Sequence, residues 1–276
     1  MKIGVRAHDY GKHTARELAQ VLHREGFEAA QLAMPKAIAG IDSYRGITPN
    51  QLKEIRTAFV DNHIDIAVLG CYMDLGNPDA SVRREAVESV KACLRYAVEL
   101  GAKMVGSETA YPNLTAEQKK QWYPYAVDSV QRIVEKAQCL DAVFAVEPVA
   151  WHPLDSVEAT LGLIRRVDDS RHLRLIFDAS NLLTSPGMTD QKTFWNGWLH
   201  AVGQYIDVLH IKDFTLDKNG WRCPTQLGHG LLRYDSIRRW LHSEKRELYL
   251  LREEMNPKFA KKDIAFLRSM YIQASP

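Results

Sequence analysis

The chain has 276 residues, 46% apolar and 25% charged, with 36 lysines and arginines against 34 aspartates and glutamates and a formal net charge of +2. That composition supplies a sizeable core and excludes a disordered, collagenous or disulfide-scaffold chain. Basic residues are interleaved with acidic ones, as in RREAVESVK, so the charge pattern requires neither nucleic acid nor an anionic membrane as partner.

Eight short aliphatic or β-branched runs follow one another: KIGVR (2–6), EAAQL (28–32), IDIAVLG (64–70), AKMVGS (102–107), VFAVE (143–147), LRLIFD (173–178), IDVLHI (206–211) and LYLLRE (248–253). Between them lie segments with apolar residues three and four apart, such as TARELAQVLHREG and SVRREAVESVKACLRYAVELG, which predict amphipathic helices. The second ends on Gly101, a helix C-cap ahead of the next strand. Alternating β and α segments imply a parallel sheet with right-handed crossovers. Eight units in a chain of this length predict an α/β fold, a single (β/α)8 TIM barrel over residues 1–276. An open doubly wound sheet is the alternative; it would call for a glycine-rich first turn, and GVRAHDYGKHT holds no GxGxxG. LDKNGWRCPTQLGHG reads as a long loop after the seventh strand.

No apolar run approaches the roughly 20 residues that span a bilayer. The N-terminal apolar stretch is too short for a signal peptide. Cys71, Cys93, Cys139 and Cys223 are scattered without a CxxC pair, which reads as reduced thiols in a cytoplasmic protein.

In such a barrel, chemistry gathers where strands end and βα loops begin. The ends of strands five to eight carry Glu147 in VFAVEP, Asp178 in LIFDAS, His210 in VLHIKD and Glu253 in LLREEMNP, 31, 32 and 43 residues apart. One acid there could simply pair with a rim lysine or arginine, since an unpaired buried carboxylate is costly. Two glutamates, an aspartate and a histidine at consecutive ends suit a divalent metal with mixed oxygen and nitrogen ligands. Glu254 competes with Glu253, because neighbours on a strand point to opposite faces. Lys212 either holds a substrate oxygen or phosphate or pairs with Glu253. His152 belongs to the loop over the mouth, with Trp151 as an apolar wall for a sugar face; a plain surface loop held by Pro148 and Pro153 is the competing reading. Glu108, at the fourth strand end, is a candidate for substrate hydroxyls. Arg6, His8, Cys71 and Tyr72 are weaker candidates, and the glycines around His229 suggest a tight turn.

On those residues the sequence resembles the xylose-isomerase-like TIM-barrel superfamily of sugar and sugar-phosphate isomerases and epimerases, most clearly from Glu147 to Glu253. The matched pattern is glutamate after strand five, aspartate after six, histidine followed by Lys-Asp (HIKD) after seven, and glutamate after eight. LGHGLLRYDSI resembles the family's Gly-x-Gly segment leading into the last helix. Relatives of the ketose 3-epimerase type carry a histidine three residues after the strand-six aspartate, where this chain has Asn181. An amide can bond a substrate hydroxyl but cannot act as a general acid or base.

The ligand set and the resemblance together imply a metal-dependent isomerase or epimerase of a keto-sugar, inosose or related polyol ketone, working by proton abstraction through an enediolate. Glu147, Asp178, His210 and Glu253 would bind Mn²⁺, Mg²⁺ or Co²⁺, with Zn²⁺ also admitted, and Glu147 and Glu253 would move the proton. His152, Asn181, Lys212 and Glu108 would contact a small-molecule sugar or polyol ketone; neither nucleic acid nor membrane is expected, and homo-oligomerisation stays open. Alternatives are a lyase of the same superfamily acting on an inosose or a dehydroshikimate-like acid, and an apurinic-site endonuclease. The resemblance ties the nuclease to a histidine-rich three-metal site, where this chain has Cys71, Glu108 and Asn181.

Overall fold

Each apolar run becomes a strand of one parallel barrel in the computed structural model, which describes residues 1–244 and 246–271. The strands are β1 (Lys2–Arg6), β2 (Ala29–Leu32), β3 (Asp65–Gly70), β4 (Met104–Ser107), β5 (Phe144–Val146), β6 (Leu173–Asp178), β7 (Ile206–Ile211) and β8 (Tyr249–Arg252). Pairing of Lys2 with Tyr249 and Val5 with Arg252 closes the ring between β1 and β8. One helix packs outside after each strand: α1 (Ala15–Glu25), α2 (Pro49–Asp61), α3 (Ala80–Leu100), α4 (Ala116–Leu140), α5 (Val157–Val167), α6 (Gln191–Val202), α7 (Asp235–Ser243) and α8 (Ala260–Ser269). This is the expected single (β/α)8 barrel.

Local chemistry sets the helix ends. Thr14 with Glu17, Thr48 with Gln51 and Thr115 with Gln118 form reciprocal capping boxes at the starts of α1, α2 and α4. Gly101 closes α3 in the left-handed conformation, φ +70°, as its position predicts. Most of the core lies between the strands and this helical ring, while Ala29, Ala67, Met104, Ala145, Ile176, Val208 and Leu251 fill the barrel's interior. The interior is tight: a Cβ on Gly4 would stand 2.4 Å from the Ala29 carbonyl oxygen, and one on Gly106 2.6 Å from Val68 Cγ1. The barrel is thus a plugged scaffold, and only its rim is free for chemistry.

The segment after β7 departs from the sequence reading. Asp213–Leu216 and Arg222–Thr225 pair antiparallel as a hairpin. Its turn is held by Asp217 Oδ1, which accepts the amides of Asn219 and Trp221, each at 2.8 Å. The Asn219-Gly220 pair carried that signal, but the flanking runs are short and mostly polar, so no alternation marks them as strands.

Beyond the hairpin, Asp213 anchors the glycine segment. Its Oδ2 accepts Gly228 N (3.1 Å) and Gly230 N (2.9 Å), and its Oδ1 accepts Leu232 N (3.2 Å). Gly228 has φ +79°, a turn residue as expected, whereas Gly230 is needed for a different reason: a Cβ there would lie 2.1 Å from Asp213 Oδ1. The segment feeds α7, the penultimate helix rather than the last. Buried Arg252, at the end of β8, pairs with buried Asp263 of α8 at 2.7 Å, which fixes the chain immediately before Glu253. Among the described residues no helix is long and apolar enough to cross a membrane.

Candidate metal centre

Strand register carries the four expected ligands to one side of the mouth. Asp178 of β6 pairs directly with His210 of β7, and His210 with Leu251 of β8. Glu147 follows β5, its amide bonded to the Ser107 carbonyl at the end of β4 (2.9 Å). Glu147, Asp178, His210 and Glu253 are all buried. Donor atoms of Glu147, Asp178 and His210 lie within 4.8 Å of one another; Glu253 is outside this mutually close set, although its Oε1 comes to 3.5 Å from His210 Nδ1. Glu253 is buried at the centre, while Glu254, past the end of β8, has φ +52° and a side chain 38% exposed.

The centre contains polar atoms that the protein leaves without partners. His210 Nδ1 stands 3.1 Å from Glu147 Oε2, yet neither ring nitrogen of His210 makes a well-formed hydrogen bond. Asp178 Oδ2 is likewise unsatisfied, despite Lys212 Nζ at 3.0 Å. Leaving buried polar atoms unpaired costs about 1–3 kcal/mol each. An imidazole nitrogen and carboxylate oxygens gathered in one buried space suit a divalent cation of intermediate hardness. The donor set therefore fits a metal.

Electrostatics ties the cluster together. Burial alone would lower the pKa of His210, but Glu253 and Glu147 raise it to about 9. Burial would raise that of Glu253, but His210, Lys212 and Arg6 hold it well below the usual carboxylate range. Burial pushes Asp178 up against the opposing pull of Lys212. Lys212 Nζ also lies 3.3 Å from Glu253 Oε2 and 3.6 Å from Glu254 Oε1. Of the two readings for this lysine, the pairing with Glu253 is the one formed here, and Asp178 joins it.

The remaining candidates surround these ligands. Asn181 donates its amide Nδ2 to Glu147 Oε1 at 2.8 Å, while its backbone N–H bonds Asp178 Oδ1 at 2.9 Å. It therefore grips a candidate ligand. Tyr72, at the third strand end, donates to the other Glu147 oxygen at 3.4 Å. His152 is buried rather than on a surface loop, 3.6 Å from Glu108 Oε2, with both ring nitrogens unbonded. Burial lowers its pKa to about 4, so it is neutral, and burial raises that of Glu108. Trp151 sets its ring edge-on to His152, with centroids 6.2 Å apart. His229 is exposed on the glycine segment.

Three contributors went unread in the sequence. Asp9 clamps Arg6 (2.8 Å) and takes the Met255 amide (2.9 Å), which steadies Arg6 at 4.0 Å from Glu253. Asp213 organises the glycine segment, a role legible only in hindsight from HIKD standing ahead of LGHG. Arg222, on the hairpin, donates to the carbonyls of Ser180 and Leu183 behind Asp178.

The sequence profile of the xylose isomerase-like TIM barrel family matches residues 19–270. The chain belongs to that family. None of the curated proteins matches the sequence. Among solved structures, apo 3-keto-D-glucoside 4-epimerase, YcjR, from E. coli is similar at 17% identity and TM-score 0.74, over 98% of this chain and 99% of that one. D-psicose 3-epimerase in the presence of D-fructose superposes with TM-score 0.75 at 15% identity, over 98% and 99%. A xylose isomerase-like TIM barrel protein from Mycobacterium smegmatis in complex with magnesium gives 0.73 at 15%, over 98% and 96%. At such identities these likenesses establish the shared barrel of the family.

Proposed function

We propose that the protein is a divalent-metal-dependent isomerase or epimerase of a keto-sugar, inosose or related polyol ketone. The observation that carries this is the buried trio Glu147, Asp178 and His210, whose donor atoms converge within 4.8 Å while His210 and Asp178 retain unpaired atoms. Glu253 completes the ligand set. The family relationship supports the reading, as do neighbours named as sugar epimerases and one that holds magnesium. Mn²⁺, Mg²⁺ and Co²⁺ suit these ligands, with Zn²⁺ also admitted. The four free cysteines suit a reducing compartment, and we assign the protein to the cytoplasm.

A bound divalent cation would act as a Lewis acid toward a substrate carbonyl and its neighbouring hydroxyl. The protein's own groups supply the proton transfers. Glu147 has Asn181 on one oxygen and Tyr72 on the other, so its carboxylate is held in one orientation. Glu253 lies between His210, Lys212 and Arg6, which keep it ionised. One carboxylate takes the proton from the carbon beside the carbonyl, and the electron pair moves into the carbonyl to give an enediolate. The other takes up a proton from solvent and returns it to that carbon or to the neighbouring one, and release of the abstracted proton to solvent resets the pair. Return to the opposite face of the same carbon is epimerisation; return to the former carbonyl carbon is isomerisation. Neutral His152 and Glu108 stand within reach of substrate hydroxyls on the β4–β5 side.

Incubation of the Mn²⁺-loaded protein with ketohexoses and inososes tests this reading by chromatography. At least one ketone should convert to a diastereomer or positional isomer, and EDTA should stop the conversion. No conversion of any ketone would remove the proposal.

A further inference from the structure

A cavity opens on the rim beside the candidate metal centre, and it points to a substrate larger than one ring. It has a volume of about 550 Å³, and Ala150, Trp151, Leu183, Thr184, Trp221 and Arg222 line it. These residues come from the loops after β5 and β6 and from the hairpin after β7, all on the rim that carries the candidate ligands. The Ala150 amide bonds the Asn181 carbonyl at 3.0 Å, and Asn181 in turn grips Glu147 at 2.8 Å. One residue thus separates the cavity wall from the centre.

The hairpin holds an aromatic ring out in water. Trp221 is 71% exposed, an unusual place for so large an apolar surface. Its backbone is nevertheless fixed, with its N–H on Asp217 Oδ1 at 2.8 Å and its carbonyl accepting the Asp217 amide at 2.9 Å. The adjoining Arg222 braces the hairpin to the β6 loop through the carbonyls of Ser180 and Leu183, and its guanidinium lies 4.4 Å over the Phe214 ring. A fixed scaffold presenting an exposed indole toward a cavity shared with a second indole has the form of a ligand wall.

The lining selects the ligand's chemistry. Two indoles supply flat apolar faces, and the Thr184 hydroxyl supplies an edge contact. Arg222, the cation that lines the cavity, spends two of its five N–H donors on the carbonyls of Ser180 and Leu183, which fixes the guanidinium and leaves N–H groups that can meet hydroxyl oxygens at a ring's edge. A neutral pyranose has apolar ring faces and hydroxylated edges, and the volume lies in the range of small-ligand sites. We propose that the Trp151–Trp221 cavity is a subsite for the non-reacting ring of a keto-glycoside whose reacting ring sits at the metal centre. This rests on the reading of the centre as a keto-sugar enzyme.

The test compares 3-keto-D-glucose with 3-keto-cellobiose and 3-keto-maltose, which carry the same keto ring with glucose attached in two linkage geometries. In the Mn²⁺-loaded wild type, kcat/KM for at least one disaccharide should exceed that for the monosaccharide by roughly tenfold or more, the scale of a modest apolar contact. Trp221→Ala should bring the disaccharide down toward the monosaccharide value through a higher KM rather than a lower kcat. Equal kcat/KM for all three sugars, or a loss in Trp221→Ala common to all three, would overturn the subsite. Saturation-transfer NMR with cellobiose and maltose on metal-free protein separates this from failure of the catalytic reading. Ring signals present with wild type and lost with Trp221→Ala support the subsite even if no ketone is turned over; no transfer to either sugar contradicts it.

Discussion

Glu147→Gln is expected to keep its metal while turnover falls by roughly 10²–10⁴-fold, the usual contribution of a positioned general acid or base. The exchange preserves shape, and the surviving carbonyl oxygen can still accept the Asn181 amide that now bonds Glu147 Oε1 at 2.8 Å. What disappears is the ability to take or give a proton. Substrate binding should change little, because the group acts mainly in the transition state, so kcat should fall with KM nearly constant. Steady-state kinetics with elemental analysis of the same preparation check both halves. A loss of less than about tenfold with metal retained would place the essential proton transfer elsewhere, with Glu253 first in line.

Metal content should collapse in His210→Ala and Asp178→Ala. His210 supplies the nitrogen of the converging trio, and removing it leaves carboxylates alone around the cation. Asp178 also accepts the Asn181 amide at the start of the short helix Ala179–Leu182, so Asp178→Asn serves as the companion that keeps an acceptor there. Both alanine variants should retain the fold by circular dichroism. Full occupancy in both would contradict the assignment. On β8, loss of metal in Glu254→Gln with retention in Glu253→Gln would reverse the choice between those neighbours.

Binding at this centre should also depend on pH, with a definite sign. In the metal-free protein the neighbouring glutamates raise the His210 pKa to about 9, so at neutral pH a metal must displace a proton from that ring. Apparent affinity should therefore climb as pH rises toward about 9 and flatten above it. Stability of the metal-free protein runs the other way. The favourable interaction of charged His210 is fully present below the unfolded-state value of about 6.5 and is lost as pH rises through about 9. Chelator competition across that window checks the affinity, and denaturant unfolding checks the stability.

How much of this was legible in the sequence follows from what a parallel barrel does. It converts order along the chain into neighbourhood in space, so acids and a histidine at successive strand ends had to meet at one rim. Apolar runs and the helix-closing Gly101 marked the elements for the same reason: their signals are local. The hairpin escaped because its strands are four residues each and largely exposed, so neither face carries an apolar stripe. The attachment of Asn181 to Glu147 joins residues 34 apart through two loops, and no periodicity encodes it. Lys212 illustrates the limit. Its position on the rim was readable, but its place between Asp178 and Glu253 depends on side-chain directions from three strands.

Hydrogen exchange at carbon is the most direct measurement of the central claim. Mn²⁺-loaded wild-type protein in deuterated water, followed by proton NMR, should replace one proton beside the carbonyl of at least one keto-sugar or inosose, and EDTA should stop the replacement. Glu147→Gln should slow it together with turnover. Absence of exchange into every ketone, joined to nicking of abasic DNA by the same preparation, would contradict the account.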